Sequence, residues 1–394
     1  MRVLYQDLAK GSGAQASYKM LLHAMATEFP NDQYIIVCAK DSLLWSLSTL
    51  ANIQVIRFGH GILAEWRRFC LEVFGIGRIA RKHEADVIWT SNVGPYVRTG
   101  VPQVLMVLNP FQVHPWTVAC YHPRSRLTLA ALRLFFRRSL RCCDAVQVEM
   151  PFMGEYVRLI SGAPRWIAAI PKSVESSQDC EQQPLPMEIR QQYDGGLGRS
   201  AFTFLFVATC SPHKNQTTVV AAMEILRSRG VKARLALSAT EEQLRRHCNP
   251  DQVSSLIGSG HILPLGWVDK NELLAVYNAS DACVLPSHLE QLSSAHLEAM
   301  HWSKPQVSAD LPYARDICGD ATLYADPDDP ADWAVKMLML MENPELRDRL
   351  VAAGIGRMKA FPRSWQEVAR RERDFLASVV GRHRKPKANS RSNV

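Results

Sequence analysis

No two cysteines in this chain are separated by two residues, and no apolar run approaches the roughly eighteen residues a membrane span requires. The first absence removes the usual zinc spacing and a disulfide framework, although ten cysteines are present. Several, such as Cys38 and Cys283, lie inside apolar runs, where a buried thiol in a reducing cytosol is the ordinary reading. The second absence confines any membrane contact to the periphery. A signal-peptide pattern is missing at the N-terminus, because Arg2 and Asp7 bracket the short apolar run there. No repeat of solenoid period occurs. Acidic residues are absent from 124–141, where six arginines fall (Arg124, Arg126, Arg133, Arg137, Arg138 and Arg141).

What is present describes a globular chain of more than one core. At 394 residues, with 47% hydrophobic and 21% charged residues, two domains are expected. Lys and Arg outnumber Asp and Glu by 46 to 38, a formal charge of +8. That balance favours an anionic partner without choosing among nucleic acid, membrane lipid and a nucleotide sugar.

Short apolar runs alternate with helical patterns throughout. Val3-Leu4-Tyr5, Tyr34 to Ala39, Ile53 to Phe58, Ala85 to Thr90 and Val104 to Leu108 read as strands, and Asp144 to Val148 as the last strand of the first half. Such alternation predicts an α/β fold with parallel sheets and right-handed crossovers. Gly11 and Gly13 form a turn after the first strand that suits either close approach to a ligand or a plain tight turn. Between 171 and 200 the composition turns to Ser, Gln, Pro and Gly, which marks a domain boundary. Phe202 to Ala208 opens the second half as a strand, followed by Lys214-Asn215 at a strand-to-helix turn. Asp269 is placed to cap a short helix, and Ser364 with Glu367 has capping-box spacing before the last helix. Residues 124–141 read as a basic amphipathic helix, with Arg133, Arg137 and Arg141 on one face and Leu127, Ala130, Ala131 and Leu134 on another. It suits an anionic membrane surface or an ordinary helix packed on the sheet.

The second half also holds two carboxylates, Glu290 and Glu298, with seven residues between them. They straddle a strand-end loop and the first turn of a helix capped by Ser293 or Ser294. The amides there lack helical partners and carry the positive end of the dipole, which suits a diphosphate. The carboxylates would then accept from hydroxyls on either side, as a sugar nucleotide offers. A surface acid plus a helix-dipole acid gives the same spacing.

Pro286 to Met300 resembles the P-S-x-x-E-x-F-G-x-x-x-x-E-A-M segment of the family 4 (group 1) retaining glycosyltransferases. Ser303 to Asp310 and Arg315 to Pro327 resemble that family's following strands, and Lys214-Asn215 its diphosphate turn. Departures are Leu292-Ser293 for Phe-Gly, Ser303 for Gly, Ala208-Thr209 for Gly-Arg and Asn109-Pro110 for His-Asp. The resemblance implies the GT-B architecture, two Rossmann-like domains facing a cleft with the C-terminal helix crossing back to the N-terminal domain. The expected divisions are 1–172 for the acceptor, 173–199 as linker, 200–362 for the donor nucleotide, 363–381 as the returning helix and 382–394 as a disordered basic tail.

It also implies transfer of a hexose from a nucleotide-diphosphate sugar to a hydroxyl, with retention of configuration. The acceptor expected is a lipid-linked or cell-surface glycan, as in polysaccharide or lipopolysaccharide biosynthesis, mannosyl transfer included. Lys214 and the amides at Ser293 and Ser294 would stabilise the leaving diphosphate, Glu290 the transferred sugar and Glu298 the ribose. Leu292, Gly11, Gly13, Asn109, His114, Trp267 and Val268 are the further candidates for substrate contact. No metal and no other cofactor is expected, and the location expected is the cytoplasm, at the inner membrane face if the arginine helix binds lipid. Rival readings are a sugar-nucleotide epimerase, a sugar phosphorylase or a catalytically silent binding protein on the same fold. Nucleic-acid binding is the weakest, because no recognised motif accompanies the arginines.

Overall fold

The computed structural model describes residues 1–7, 13–58, 70–91, 94–108, 110–113, 123–161, 166–173, 184–198, 200–269 and 271–384. The chain divides into two compact units, Met1–Ser173 with Pro362–Val394, and Val174–Phe361.

In the first unit, β1 (Arg2–Asp7), α1 (Gly13–Glu28), β2 (Gln33–Ala39), β3 (Ile53–Phe58), α2 (Ile76–Lys82), β4 (Val87–Ser91) and β5 (Gln103–Met106) follow in order. They are succeeded by α3 (Pro123–Cys142), β6 (Ala145–Val148), α4 (Pro151–Ser161) and β7 (Ile167–Ala169). The seven strands pair in the order β3-β2-β1-β4-β5-β6-β7, all parallel. Val3, Leu4 and Tyr5 are fully buried, as a strand covered on both faces requires. Strand β6 is therefore not the last of this half. Ile167-Ala168-Ala169 adds an edge strand too short, and too rich in alanine, to show a period.

In the second unit α5 (Met187–Asp194), β8 (Phe202–Phe206), α6 (Gln216–Ser228), β9 (Ala233–Leu237), α7 (Glu241–His247), α8 (Pro250–Gly258) and β10 (Ile262–Pro264) come first. Then follow α9 (Leu273–Asn278), β11 (Ala282–Leu285), α10 (Ser294–His301), β12 (Gln306–Ala309), α11 (Pro312–Cys318), β13 (Leu323–Ala325), α12 (Pro330–Glu342) and α13 (Pro344–Met358). The parallel sheet runs β10-β9-β8-β11-β12-β13. Connections from β8 lead to one side and those from β11 to the other, so these two adjacent strands form the topological switch point.

Several local expectations differ from the structure. Within 173–199, Met187–Asp194 is a helix of the second unit, because Ile189 and Tyr193, four residues apart, bury together in its core. Asp269 does not cap α9, which starts at Leu273 after Glu272; the Asp269 carboxylate instead accepts from Trp267 Nε1 at 2.9 Å. In α3 the packed face is Phe136, Ser139 and Leu140, whereas Ala130 is exposed and Leu134 is 67% exposed. Burial of Phe136 and Leu140 fixes the rotation of this part of the helix, while Leu127 and Ala131 of the expected stripe lie outside the described side chains.

The returning helix α14 (Trp365–Arg384) lays Trp365, Val368, Ala369, Leu376 and Val379 into the first unit's core and runs past residue 381. Its start is not a reciprocal capping box. Ser364 Oγ accepts from the Glu367 amide at 3.2 Å, but Glu367 reaches back to the Arg363 amide at 3.0 Å. Arg370 pairs with Glu28, Arg373 with Asp32 and Arg384 with Asp86, fixing the helix along α1 and the sheet's lower edge. Glu372 is buried within it and accepts from Gln147 Nε2, and burial pushes its carboxyl well above the usual range. Among the described residues no helix is long and apolar enough to cross a membrane.

Candidate functional site

All strands of the second unit are parallel, so the segments after β8, β10 and β11 emerge at one edge of its sheet. The segment after β8 makes a short 3-10 turn, Pro212–Lys214, and then Asn215, whose φ of +57° lies in the left-handed region. Asparagine tolerates that conformation because its side chain bonds locally. Here the Nδ2 group donates to the carbonyls of Pro286 at 3.2 Å and Pro327 at 2.8 Å, and Oδ1 accepts from Thr218 Oγ1 at 2.8 Å. One side chain thus ties the β8 turn to the segments that follow β11 and β13.

The segment after β11 is held at nearly every residue. Asn215 binds Pro286, the buried Tyr313 hydroxyl donates to the Ser287 carbonyl at 2.6 Å, and the His288 amide donates to the His213 carbonyl at 2.8 Å. Lys214 Nζ then meets Glu290 Oε1 at 2.5 Å, the two side chains being 18% and 14% exposed. The structure therefore brings Lys214 and Glu290 into direct contact at the switch point. Burial pushes the Glu290 carboxyl up, but Lys214, with Ser287 and His296, outweighs it and holds the group below the usual carboxylate range. Glu290 is an anion at neutral pH.

Ser293 caps α10 with extended backbone (φ −81°, ψ 109°) and without a side-chain cap bond. It is buried, Leu292 is half-buried and Ser294 is exposed. The first-turn amides have no partners within the helix, so the dipole's positive end lies three residues from Glu290. Glu298, in the next turn, accepts from the buried Tyr277 hydroxyl at 3.1 Å, and Tyr277 packs on Trp302 at 4.4 Å between ring centroids. His296 is fully buried. Its Nε2 lies 2.7 Å from Ser308 Oγ, and burial pushes it down to about 4.

Trp267 and Val268 follow β10, two strands from β8. Trp267 is 81% exposed, whereas Val268 packs into the unit's core. Gly266 before them has a φ of +70°, a conformation that favours glycine. Gly13 opens α1, while Gly11, Asn109 and His114 lie outside the described residues. Asn215, Tyr313 and His213 were not singled out by sequence, since their partners are far along the chain; the resemblance marked Asn215 only as a motif position.

Asp326-Pro327-Asp328 has the Asp-x-Asp spacing that some metal sites use. In this structure the Asp328 amide donates to Asp326 Oδ1 at 2.9 Å and Asp328 Oδ1 lies 3.4 Å from His288 Nε2. Among the described residues no group of three or more His, Cys, Asp or Glu could hold a metal ion.

Comparison with known proteins bears on this unit most directly. O-antigen chain mannosyltransferase B of Escherichia coli is 28% identical over 167 residues, 41% of this chain and 42% of that protein. A D-inositol 3-phosphate glycosyltransferase of Streptosporangium roseum is 26% identical over 193 residues, 47% of this chain and 44% of that protein. The chain thus matches less than half the length of these curated relatives. Among solved structures, the HepE protein of Anabaena in complex with UDP and glucose covers 96% of this chain and 100% of its own, with a TM-score of 0.67 at 15% identity. Sucrose-phosphate synthase of Thermosynechococcus elongatus covers 97% and 99%, with a TM-score of 0.67 at 16% identity. These likenesses fix the fold as the GT-B type. Residues 192–357, which carry Lys214, Glu290 and Glu298, match the family described as glycosyl transferases group 1.

Proposed function

We propose that this chain transfers a hexose from a nucleotide-diphosphate sugar to a hydroxyl of a glycan acceptor, with retention of anomeric configuration. The observation that carries this reading is the Lys214–Glu290 contact at the β8/β11 switch point, beside the N-terminus of α10. In the reaction the bond between the anomeric carbon and the diphosphate oxygen breaks, and the acceptor oxygen bonds to that carbon. The nucleoside diphosphate leaves with the electron pair, and the acceptor hydroxyl loses its proton. The barrier lies in the charge that builds on the leaving diphosphate, so donors preorganised around it supply most of the acceleration.

Lys214 has three donors and can bind Glu290 and a phosphate oxygen together. The first-turn amides of α10 at Ser293 and Ser294 complete the cradle, Glu290 accepts from hydroxyls of the hexose, and Glu298 accepts from the ribose. Trp267 and the backbone at Val268 stand at the same sheet edge for the base, and Leu292 lines the approach. The relatives' names include a mannosyltransferase of an O-antigen chain, and a fold neighbour binds UDP and glucose; both support a nucleotide-sugar donor. Retention rests on the resemblance of 286–300 to the retaining family. Leu134 and Phe135 stand exposed among the exposed Arg137, Arg138 and Arg141 of α3, and this favours a lipid-linked acceptor met at an anionic membrane surface.

A thermal-shift screen of UDP-, GDP- and ADP-sugars tests the reading, because a bound donor stabilises the fold by mass action. One donor should raise the melting temperature of the wild type and lose that effect in Lys214→Ala. Stabilisation by none of them rejects the donor site. Release of an altered sugar without an acceptor would make the protein an epimerase instead.

A further inference from the structure

The donor reading leaves a charge deficit at the site. The diphosphate of a nucleotide sugar is a dianion across the neutral range. In the two loops that meet at the switch point, residues 207–215 and 286–293, Lys214 is the one fixed cation, and Glu290 cancels it. Helix amides supply about half a charge in total. A transition state that piles further negative charge on the diphosphate needs more than that.

The same two loops carry His213 and His288. His213 immediately precedes Lys214 on the 3-10 turn and is half-buried, with Nδ1 3.2 Å from Ser211 Oγ. Its carbonyl accepts the His288 amide at 2.8 Å, so the two imidazoles belong to one rigid backbone junction. His288 Nε2 in turn lies 3.4 Å from Asp328 Oδ1, a carboxylate from the segment after β13. Among the described residues, the titratable groups that face His213 are Lys214 on its own turn, with Glu290 and His288 from the loop after β11. Burial, then the like charge of Lys214, push the His213 imidazole down to about 4, against the pull of Glu290. Burial pushes His288 down as well, with Asp328 opposing. Both rings are uncharged at neutral pH before anything binds. A dianion on Lys214 adds negative charge beside His213, which favours the protonated ring against the burial that disfavours it.

We propose that His213, backed by His288 and Asp328, takes up a proton when a nucleotide-diphosphate sugar binds and supplies the second positive charge to the diphosphate. The inference rests on the donor reading above. The proton comes from solvent on binding and returns when the nucleoside diphosphate leaves, so the site is cationic while the leaving group carries charge and neutral when product departs. Because the bound state holds more protons than the free state, affinity rises as pH falls through the bound-state imidazole range. The gain levels off below about 4, where free His213 is itself protonated.

Titration calorimetry of the full chain with UDP-glucose, GDP-mannose and ADP-glucose tests this, run at one neutral pH in HEPES and in Tris. None of these diphosphates titrates near neutrality, so a buffer-dependent heat reports protons taken up by the protein. Net uptake is expected with whichever sugar nucleotide binds, together with weaker binding as pH rises toward 8.5. His213→Gln should abolish the uptake and weaken binding about tenfold, the worth of one charge-assisted contact. His213→Lys should hold the affinity and lose its pH dependence, which a merely structural histidine would not do. A donor that binds the wild type with no buffer dependence, or uptake unchanged in His213→Gln, overturns the proposal while the donor reading stands. Binding of none of the three overturns the donor reading itself, and this proposal with it.

Discussion

Each unit sets a lysine–glutamate pair beyond the carboxyl ends of its strands, and the two pairs are placed differently. In the second unit Lys214 and Glu290 join the loops after β8 and β11, the neighbours whose connections diverge. In the first, Lys172 and Glu149 meet at 2.6 Å after β7 and β6, at one end of the sheet, while the connections diverge at β1 and β4. Diverging connections leave a crevice that a ligand can enter; adjacent strands at the end of a sheet do not. The pairs differ in exposure only at the carboxylate, 4% for Glu149 against 14% for Glu290, while Lys172 and Lys214 are alike at 22% and 18%. Glu149 is only 4% exposed and the Lys172 ammonium lies over the Tyr18 ring at 5.3 Å, so that pair is a packed part of the wall. A charged pair therefore reads as functional from its place on the sheet, not from its composition.

The sharpest way to break this comparison is to neutralise one carboxylate in each pair. Glu290→Gln keeps the shape and should lower kcat/KM by about a hundredfold or more, the scale of losing one preorganised contact to the reacting groups. Denaturant unfolding should show a loss of about 1–3 kcal/mol, because Lys214 loses its charged partner. Glu149→Gln should cost a similar amount of stability, since Lys172 loses its charged partner too, but leave kcat/KM within a fewfold. A loss of turnover in Glu149→Gln as large as that in Glu290→Gln would give both edges a working pair and end the asymmetry.

A smaller effect is expected at Asn215, which binds the second unit's two loops together. Asn215→Ala loses three side-chain hydrogen bonds and forces a Cβ without a compensating contact into a φ of +57°. About 2–3 kcal/mol of stability should go, with turnover falling because Lys214 and Glu290 are no longer held in register. Chemical denaturation alongside single-turnover kinetics separates the two losses. Intact kinetics in a destabilised Asn215→Ala would show that the loops keep their register without this tie.

Much of this arrangement was legible in the chain before folding, for identifiable reasons. Central strands such as β1, β8 and β11 carry mostly apolar runs, Val3 to Tyr5, Phe204 to Phe206 and Ala282 to Leu285, as buried parallel strands do. Lys214 and Glu290 stand in strand-end segments, and Glu298 in the helix that follows, in a recognisable wording. What escaped reading depends on contacts made across the fold. The partners of Asn215 lie 71 and 112 residues away, and the grip of Tyr313 on Ser287 spans 26. Likewise α5 was hidden by Pro and Gly on either side, because its two buried positions, Ile189 and Tyr193, have meaning only against the core that receives them.

The finest test sets Asn215 against the other left-handed residue outside glycine among the unit's described residues. Ser303 has a φ of +56° just past the end of α10, where the resembled family has glycine, and it is exposed. An L side chain in that conformation costs roughly 1 kcal/mol, and glycine removes the cost while adding some freedom to the unfolded chain. Ser303→Gly should therefore gain up to about 0.5–1 kcal/mol, measured by denaturant unfolding, with unchanged donor affinity. Asn215→Gly meets the same backbone demand yet should lose stability, because its amide bonds go with the side chain. Opposite signs at two positions of nearly equal φ would show that the backbone sets the need for glycine at Ser303, while the long-range bonds of the amide set the need for asparagine at 215. Equal signs would mean that those bonds contribute less than the strain they accompany, and the tie between the β8 and β11 loops would have to come from the Lys214–Glu290 pair and the His288–His213 backbone bond.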